Sequence, residues 1–209
     1  MSTQTEKKFV TAARPLAAQP TGPVKIRFTE SAKGTFIELS VDYERAEVPD
    51  RRYYADYSDV IEGRSGLNFI FGRLIPGQST LRTKVEISFP DKQFVRQLWQ
   101  GSRAFHEMLN QEFAHHRLSP IDQLQDTDKV QSFRANNVFM AKMGDDAVID
   151  FYYIAPPDIH FARFGKRSDI YLEPIIRIAA STALVFEFLE QCSPYAEKLR
   201  NITDTTEES

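Results

Sequence analysis

The chain has 209 residues, a formal net charge of −3 and a pI of about 5.9, and 42% of its residues are hydrophobic. These values are typical of a globular protein with a sizeable core, and they exclude the strongly basic balance of a dedicated nucleic-acid-binding domain. A single cysteine, Cys192, excludes a disulfide framework or a thiolate zinc site within one chain.

The N-terminal sequence MSTQTEKKFVTAARPLAAQP contains no apolar core of the length that a signal peptide needs. No run of the chain approaches the roughly 18 apolar residues of a membrane span. One unpaired thiol also fits a reducing compartment. The sequence therefore predicts a cytoplasmic protein.

Changes in composition and periodicity divide the chain into six segments. They are a disordered tail at 1–22, an N-terminal hairpin with its connector at 23–50, a first repeat at 51–118, a linker at 119–131, a second repeat at 132–200 and a disordered acidic tail at 201–209.

The hairpin is predicted from residues 24 to 43, where VKIRF and then Ile37, Leu39, Val41 and Tyr43 alternate with polar residues. Period-two alternation is typical of a half-buried strand. The sequence TESAKG between the two runs supplies the turn.

The first repeat is predicted to contain three strands and a helix. The strands are expected at 53–61, 67–71 and 81–89, and the last of them alternates cleanly between apolar and polar residues. A helix is expected to follow Pro90 and to end near His115. Its apolar stripe consists of Phe94, Leu98, Phe105 and Leu109.

A shift of 80 positions superimposes the first repeat on the second. Tyr53 then falls on Phe133 and Pro76 on Pro156; beyond that point a shift of 84 places Pro90 on Pro174. This alignment predicts a second helix directly after Pro174. Its stripe is expected to comprise Ile175, Ile178, Thr182, Phe186 and Leu189.

The predicted fold class is α+β. Two ββ(β)α repeats are expected in a pseudo-two-fold arrangement, with an antiparallel sheet, two long helices on one face and the N-terminal hairpin added. Two joined sheets would satisfy the same pattern. The alternative is two independent small domains on a flexible linker, each marginal in size at roughly 75 residues.

Each repeat resembles a small bacterial domain family of unknown function. The matching pieces are YADY, LNFIFG, LIPG, VEISFP and FVRQLWQG in the first copy, and RANNVF, VIDFYYIAPP, IYLEP and IIRIAASTALVF in the second. The first copy has Asp56 where the family has Asn, and no Ser precedes Pro174 in the second. The resemblance implies a bacterial cytosolic origin and a strand–strand–strand–helix unit, but no activity.

Recognised catalytic and phosphate-binding motifs are missing from the sequence. His115 and His116 point about 100° apart on a helix, which does not suit binding of one metal ion, and a solvated helix end explains them. The pair Asp145–Asp146 follows a glycine at a predicted hairpin tip, where Asp is common. Asn136–Asn137 lies early in a strand, where Asn needs a buried partner or a bulge. We therefore expect no catalytic residue, no metal and no cofactor.

The sequence DIHFARFGKRSD predicts an extended hairpin in which basic and aromatic residues interleave. The candidate partner-binding residues are Phe161, Arg163, Phe164, Lys166 and Arg167. Basic groups beside exposed rings suit nucleic acid or an acidic protein surface. A solvated loop with two core rings would show the same pattern.

Two functional classes follow from these observations. The leading hypothesis is a non-enzymatic module for protein binding or assembly, whose partner is another protein or further copies of the chain through exposed sheet edges. The alternative is a nucleic-acid-binding regulator that uses the hairpin at 160–167. An enzyme would need a pocket between the halves that holds a polar residue such as Asn136 or Asp150.

Overall fold

The computed structural model describes residues 24–31, 34–41, 47–63, 66–90, 92–113, 121, 124–158, 169–170 and 172–205. The strands are β1 (Val24–Ser31), β2 (Gly34–Val41), β3 (Arg52–Tyr54), β4 (Tyr57–Glu62), β5 (Leu67–Leu74), β6 (Leu81–Phe89), β7 (Val130–Arg134), β8 (Asn137–Met143), β9 (Asp146–Tyr153), β10 (Asp169–Ile170) and β11 (Glu173–Ser181). The long helices are α1 (Lys92–Phe113) and α2 (Thr182–Thr205).

Within the described ranges, the strands form three sheets. The first has the order β10-β1-β2, the second β3-β11-β9-β8 and the third β4-β5-β6-β7. The predicted N-terminal hairpin corresponds to β1 and β2, which pair antiparallel from Val24 with Val41 to Ser31 with Gly34. The fold class is α+β, as predicted, but the main body consists of two mixed sheets rather than one antiparallel sheet.

Each mixed sheet contains one parallel pair, which lies at its end. Strand β3 runs parallel to β11 and β7 runs parallel to β6, whereas the other pairs are antiparallel. A strand from the early part of the chain thus completes a sheet made of late strands, and the reverse holds for β7. This pairing between distant parts of the chain connects the two sheets, because each four-stranded sheet needs one strand from the half of the chain that forms the other sheet.

The chain changes sheets at two short corners, between β3 and β4 and between β7 and β8. At the first corner, the Asp56 carboxylate Oδ1 accepts a hydrogen bond of 2.7 Å from the Leu74 amide. At the second, Asn136 Oδ1 accepts from the Ile154 amide and Asn136 Nδ2 donates to the Ile154 carbonyl, both at 2.8 Å. Each polar side chain therefore satisfies backbone groups that the bend leaves without a ladder partner.

The residue before each corner side chain closes the parallel ladder. The Ala55 amide donates to the Ala179 carbonyl at 2.9 Å, and the Ala135 amide donates to the Ser88 carbonyl at 3.1 Å. Both alanines are buried. A small residue suits this position because the two sheets approach each other where the chain crosses between them.

The main core lies between the sheets and the helices and is rich in phenylalanine. Phe69 and Phe71 of β5 face Phe151 of β9, with ring centroids 6.1 and 5.9 Å away. Phe188 of α2 packs against Phe69 edge-on at 5.1 Å, and all four rings are buried. Aromatic pairs at these distances contribute beyond their buried area.

Helix α2 covers one open sheet edge. Strand β4 is an end strand, and Gln191 Nε2 donates to the Ser58 carbonyl while the Tyr195 hydroxyl donates to the Val60 carbonyl, both at 3.3 Å. Helix α1 contacts the end strand β8 through side chains, where Lys142 forms an ion pair with Glu112. The bonds from α2 occupy backbone carbonyls of β4, so the β4 edge cannot template pairing with another chain.

The predicted start of the second helix was wrong. Residues from Glu173 to Ser181 form β11, and α2 begins at Thr182. Pro174 lies inside the strand next to a register shift, and Ile176 and Ile178 alternate into the core. A β-branched run that can pair with β9 favours a strand here. Ser181 caps the helix, since its Oγ accepts a hydrogen bond of 3.2 Å from the Leu184 amide.

The prediction of three strands in each repeat was also too low. Four strands precede α1 from β3 onward, and β7, β8, β9 and β11 precede α2, with β10 between the last two. Strand β10 pairs with β1 of the N-terminal hairpin, through Val24 with Ile170. Strand β7 begins at Val130, inside the segment predicted as a linker.

Truncating Phe151 should destabilise the fold strongly, because its ring contacts aromatic side chains of the facing sheet. We expect Phe151→Ala to lower the free energy of unfolding by about 3–5 kcal/mol. Urea denaturation followed by circular dichroism measures this. Ile61→Ala, at a side chain that is 46% exposed, is the control and should cost less than about 0.5 kcal/mol. Equal losses in both variants would contradict the assigned core.

Candidate interaction site

The predicted partner-binding residues Phe161, Arg163, Phe164, Lys166 and Arg167 lie outside the described residues. The structure therefore neither places them together nor separates them. His115 and His116 also lie outside the described ranges. The candidate site that the described residues offer is instead the outer edges of β7 and β3.

The outer edge of β7 is a row of exposed backbone. The Lys84 amide of β6 donates to the Lys129 carbonyl at 3.0 Å, and parallel pairing then turns every second residue of β7 toward β6. The amide and carbonyl groups of Ser132 and Arg134 consequently point away from the sheet. Four of the five residues of β7 are exposed. This edge has the geometry that accepts an added strand.

Strand β3 presents a shorter edge of the same kind. The Arg177 amide donates to the Arg51 carbonyl at 2.8 Å, so Arg52 and Tyr54 direct their backbone groups outward. The Tyr54 side chain is 63% exposed. With three residues, β3 offers fewer backbone bonds than β7, and we regard β7 as the main edge.

Two guanidinium groups flank the end of β7. Arg51 lies over the Phe133 ring with its Cζ 5.4 Å from the ring centroid, and Arg134 lies over the Tyr153 ring at 5.8 Å. Cation–π attraction at these distances holds a guanidinium beside the ring and leaves N–H groups available to bind a carboxylate. No carboxylate among the described residues forms an ion pair with either arginine.

The carboxylates near the start of β7 outnumber the lysine that binds them. Lys84, which is buried, binds Asp126 at 2.7 Å and Glu86 at 3.1 Å. The hydrogen bond from Lys84, helped by the Thr127 amide, lowers the pKa of Asp126, while the bond to Asp126 raises the pKa of Lys84. One lysine cannot neutralise two carboxylates, and the exposed Asp128 and Lys129 add one charge of each sign, so the start of β7 is net negative. The positive charge lies at the other end of the strand, on Arg51 and Arg134.

A buried ion pair lies on the outer face of the other mixed sheet. Asp150 of β9 is 2% exposed and accepts hydrogen bonds from Arg177 Nε at 2.6 Å and from Nη2 at 2.7 Å. These bonds raise the pKa of Arg177 against the opposing effect of burial. A bidentate pair occupies both carboxylate oxygens, so Asp150 is poorly placed to act as a general base.

Asn137 lies beside this pair, opposite Tyr152 in the β8–β9 ladder. Its side chain is 2% exposed, and neither amide atom has a hydrogen-bond partner within the described structure. Asn136, in contrast, is fully engaged at the corner of the sheet. The sequence singled out both asparagines but could not distinguish them, because the difference depends on which residue meets Ile154.

Other polar groups of the described residues have structural roles. His106 Nε2 lies 2.5 Å from Glu190 Oε1 and its ring stacks on Phe186, so it joins α1 to α2. Asp145, in the β8–β9 turn, and Asp146, the first residue of β9, are both exposed, and Gly144 of the turn has a φ of +68°. Among the described residues, no group of three or more His, Cys, Asp or Glu side chains could hold a metal ion.

A depression of about 560 Å³ lies beside the β5–β6 loop. Residues 74–79, Asp56 and Ile121 line it. Asp56 is the one ionisable residue in this lining, and its Oδ1 already accepts a hydrogen bond from Leu74. The depression therefore lacks the convergent polar groups that define a small-molecule site.

Comparison of the chain with protein-family models, with curated proteins and with solved structures finds no match. The resemblance of each repeat to a small bacterial domain family is therefore still an expectation from the sequence. Among the described helices, none is long and apolar enough to cross a membrane.

Removing one partner of the buried ion pair should destabilise the protein. We expect Asp150→Asn to lower the free energy of unfolding by roughly 3 kcal/mol, because the Arg177 guanidinium loses its counter-charge. Urea denaturation provides the measurement, with Asp146→Asn at the exposed turn as the isosteric control. An unchanged midpoint for Asp150→Asn would show that the pair does not form in solution.

Asn137→Leu should behave in the opposite way. A buried amide without partners costs about 1–3 kcal/mol, and an apolar side chain of similar size removes that cost. We expect equal or higher stability than wild type in thermal unfolding. Asn136→Leu is the matched control and should be destabilising, because it removes two hydrogen bonds to Ile154. A clear loss of stability in Asn137→Leu as well would show that Asn137 has a partner in solution.

Proposed function

We propose that the chain is a non-enzymatic protein-binding module built from a duplicated sheet–helix unit. The first unit comprises β3, β4, β5, β6 and α1; the second comprises β7, β8, β9, β11 and α2. In this proposal a pseudo-two-fold axis relates the units, and each gives its first strand to the sheet of the other. Strands β3 and β7 are then equivalent.

Matched hydrogen bonds support the duplication. The Asp56 amide donates to the Gly72 carbonyl at 3.0 Å, and 80 positions later the Asn136 amide donates to the Tyr152 carbonyl at 3.1 Å. The side-chain bonds of these two corner residues repeat at the same spacing. Chemically similar bends at equal spacing are expected of two copies of one unit.

The observation that carries the binding function is the outward-facing backbone of β7. An exposed strand edge gains affinity from main-chain hydrogen bonds and selectivity from the side chains beside it. Proteins generally cover or blunt such edges, as α2 does for β4. We infer that the β7 edge accepts an extended segment of a partner protein or of another copy of the chain.

Replacing Ser132 by proline should abolish this interaction without unfolding the protein. Proline removes an amide that points away from β6, so no bond within the sheet is lost. In a pulldown from the native host lysate, we expect Ser132→Pro to reduce capture of the protein partner by about ten-fold or more. Ser132→Ala keeps the amide and is the matched control.

Nuclease treatment of the same lysate separates the functional classes. Partners that survive nuclease and depend on Ser132 support strand addition. Partners that disappear with nuclease would favour the nucleic-acid alternative and the hairpin at 160–167. Capture that is identical for Ser132→Pro and Ser132→Ala would contradict binding at the β7 edge. Sedimentation of the purified variants tests whether the partner is a second copy.

A further inference from the structure

We propose that the β7 edge selects an extended segment in which acidic side chains meet Arg134 and Arg51 and an apolar side chain meets Val130. This inference rests on the proposed function and adds the chemistry of the partner segment. It depends on the charge and spacing of side chains, whereas the proposed function depends on the backbone of β7.

The acidic preference comes from the two guanidinium groups that lie over aromatic rings. Successive residues of a strand point to opposite faces, so Phe133 and Arg134 lie on different sides of β7. Because Arg51 covers the Phe133 ring and Arg134 projects on the other side, a strand added here meets a cation on each face. Two neighbouring acidic residues in the segment would then each find an arginine.

The two ends of β7 differ in charge. At its start, Lys84 is shared by Asp126 and Glu86, and the exposed Asp128 and Lys129 offset each other, so this end is net negative. At the other end, Arg51 and Arg134 contact aromatic rings and form no ion pair with a carboxylate among the described residues. Charge complementarity at that end therefore favours acidic residues over neutral or basic ones.

The apolar preference comes from Val130 at the other end of the strand. Val130 is 37% exposed and lies on the same face as Arg134, four positions earlier. Cross-strand neighbours interact most strongly when they lie directly opposite each other. The segment should therefore carry an apolar residue opposite Val130 and, four positions away, an acidic residue opposite Arg134. A second acidic residue should stand directly beside the first acidic residue, on the side of the apolar residue, where it meets Arg51.

Short labelled peptides test this pattern directly. TEESTVT and TVTSEET present it in the two possible strand directions, and versions with Gln or Lys in place of Glu serve as probes of charge. In fluorescence anisotropy with the full chain, we expect the better Glu peptide to bind about ten-fold more tightly than its Gln version and the Lys version to bind most weakly. About 1 M salt should remove the difference.

Protein variants identify the groups responsible. The double variant Arg51→Gln/Arg134→Gln should bind Glu and Gln peptides equally, whereas Arg73→Gln, at an exposed arginine of β5, should keep the ten-fold preference. Ser132→Pro should abolish binding of both peptides. Hydrogen exchange should show protection of the Ser132 and Arg134 amides only in the bound protein.

The outcomes separate the two proposals. Equal binding of Glu and Gln peptides that is lost in Ser132→Pro would retain strand addition and overturn the acidic preference. A preference for Glu that persists in Ser132→Pro would place the interaction elsewhere and overturn the inference. Absence of binding by all the peptides, together with unprotected amides, would overturn both the edge and its selectivity.

Discussion

The exchange of β3 and β7 between the two mixed sheets is the constraint on which the rest of the structure depends. Strand β3 pairs with β11 and β7 with β6, so each sheet is completed by a strand from the other part of the chain. Parallel neighbours of this kind need a long connection, which the intervening strands and helix provide. The sheets consequently form one core, in which Phe69 contacts Phe151.

The exchange also determines which edges are open. At the corners, β4 and β8 leave the strands that precede them and become end strands of their sheets, and the helices lie against these ends. Helix α1 follows β6 and helix α2 follows β11. Because the helices lie toward β4 and β8, they leave β3 and β7 at the opposite ends of the sheets uncovered. The same topology that closes the β4 edge therefore leaves β3 and β7 open, and the proposed binding at β7 would require no rearrangement of the core.

Local patterns in the sequence predicted the elements better than their arrangement. Alternation from Leu81 to Phe89 predicted β6, and the stripe through Leu98 and Leu109 predicted α1; both helix residues are buried. The second helix was misplaced because Pro174 was interpreted as its start. The cap at Ser181 was a better signal, but a β-branched run before it can be helix or strand until its partner β9 is known.

The arrangement of the edges could not be predicted because it depends on contacts between distant residues. Neither the pairing of Arg177 with Arg52 nor the outward direction of Ser132 follows from local periodicity, since both require the parallel registers. The cation–π contact of Arg51 with Phe133 likewise joins residues of the two proposed units. The sequence suggested exposed edges in general, whereas the identity of β7 needed the fold.

Differences between corresponding positions suggest that the two sheets have separate roles. Ile70 pairs with Glu86 in one sheet, and at the corresponding place in the other Asp150 pairs with Arg177. Glu86 bonds to Lys84, which also holds the segment leading into β7 through Asp126. Asp150 and Arg177 instead satisfy each other within the sheet. Lys84 of the first sheet thus holds the segment that leads into β7, and the pair of Asp150 and Arg177 stabilises the strand beside β3. In the proposed duplication, β7 is the main binding edge because it is longer than β3 and because Arg51 and Arg134 lie beside its end without a carboxylate partner among the described residues.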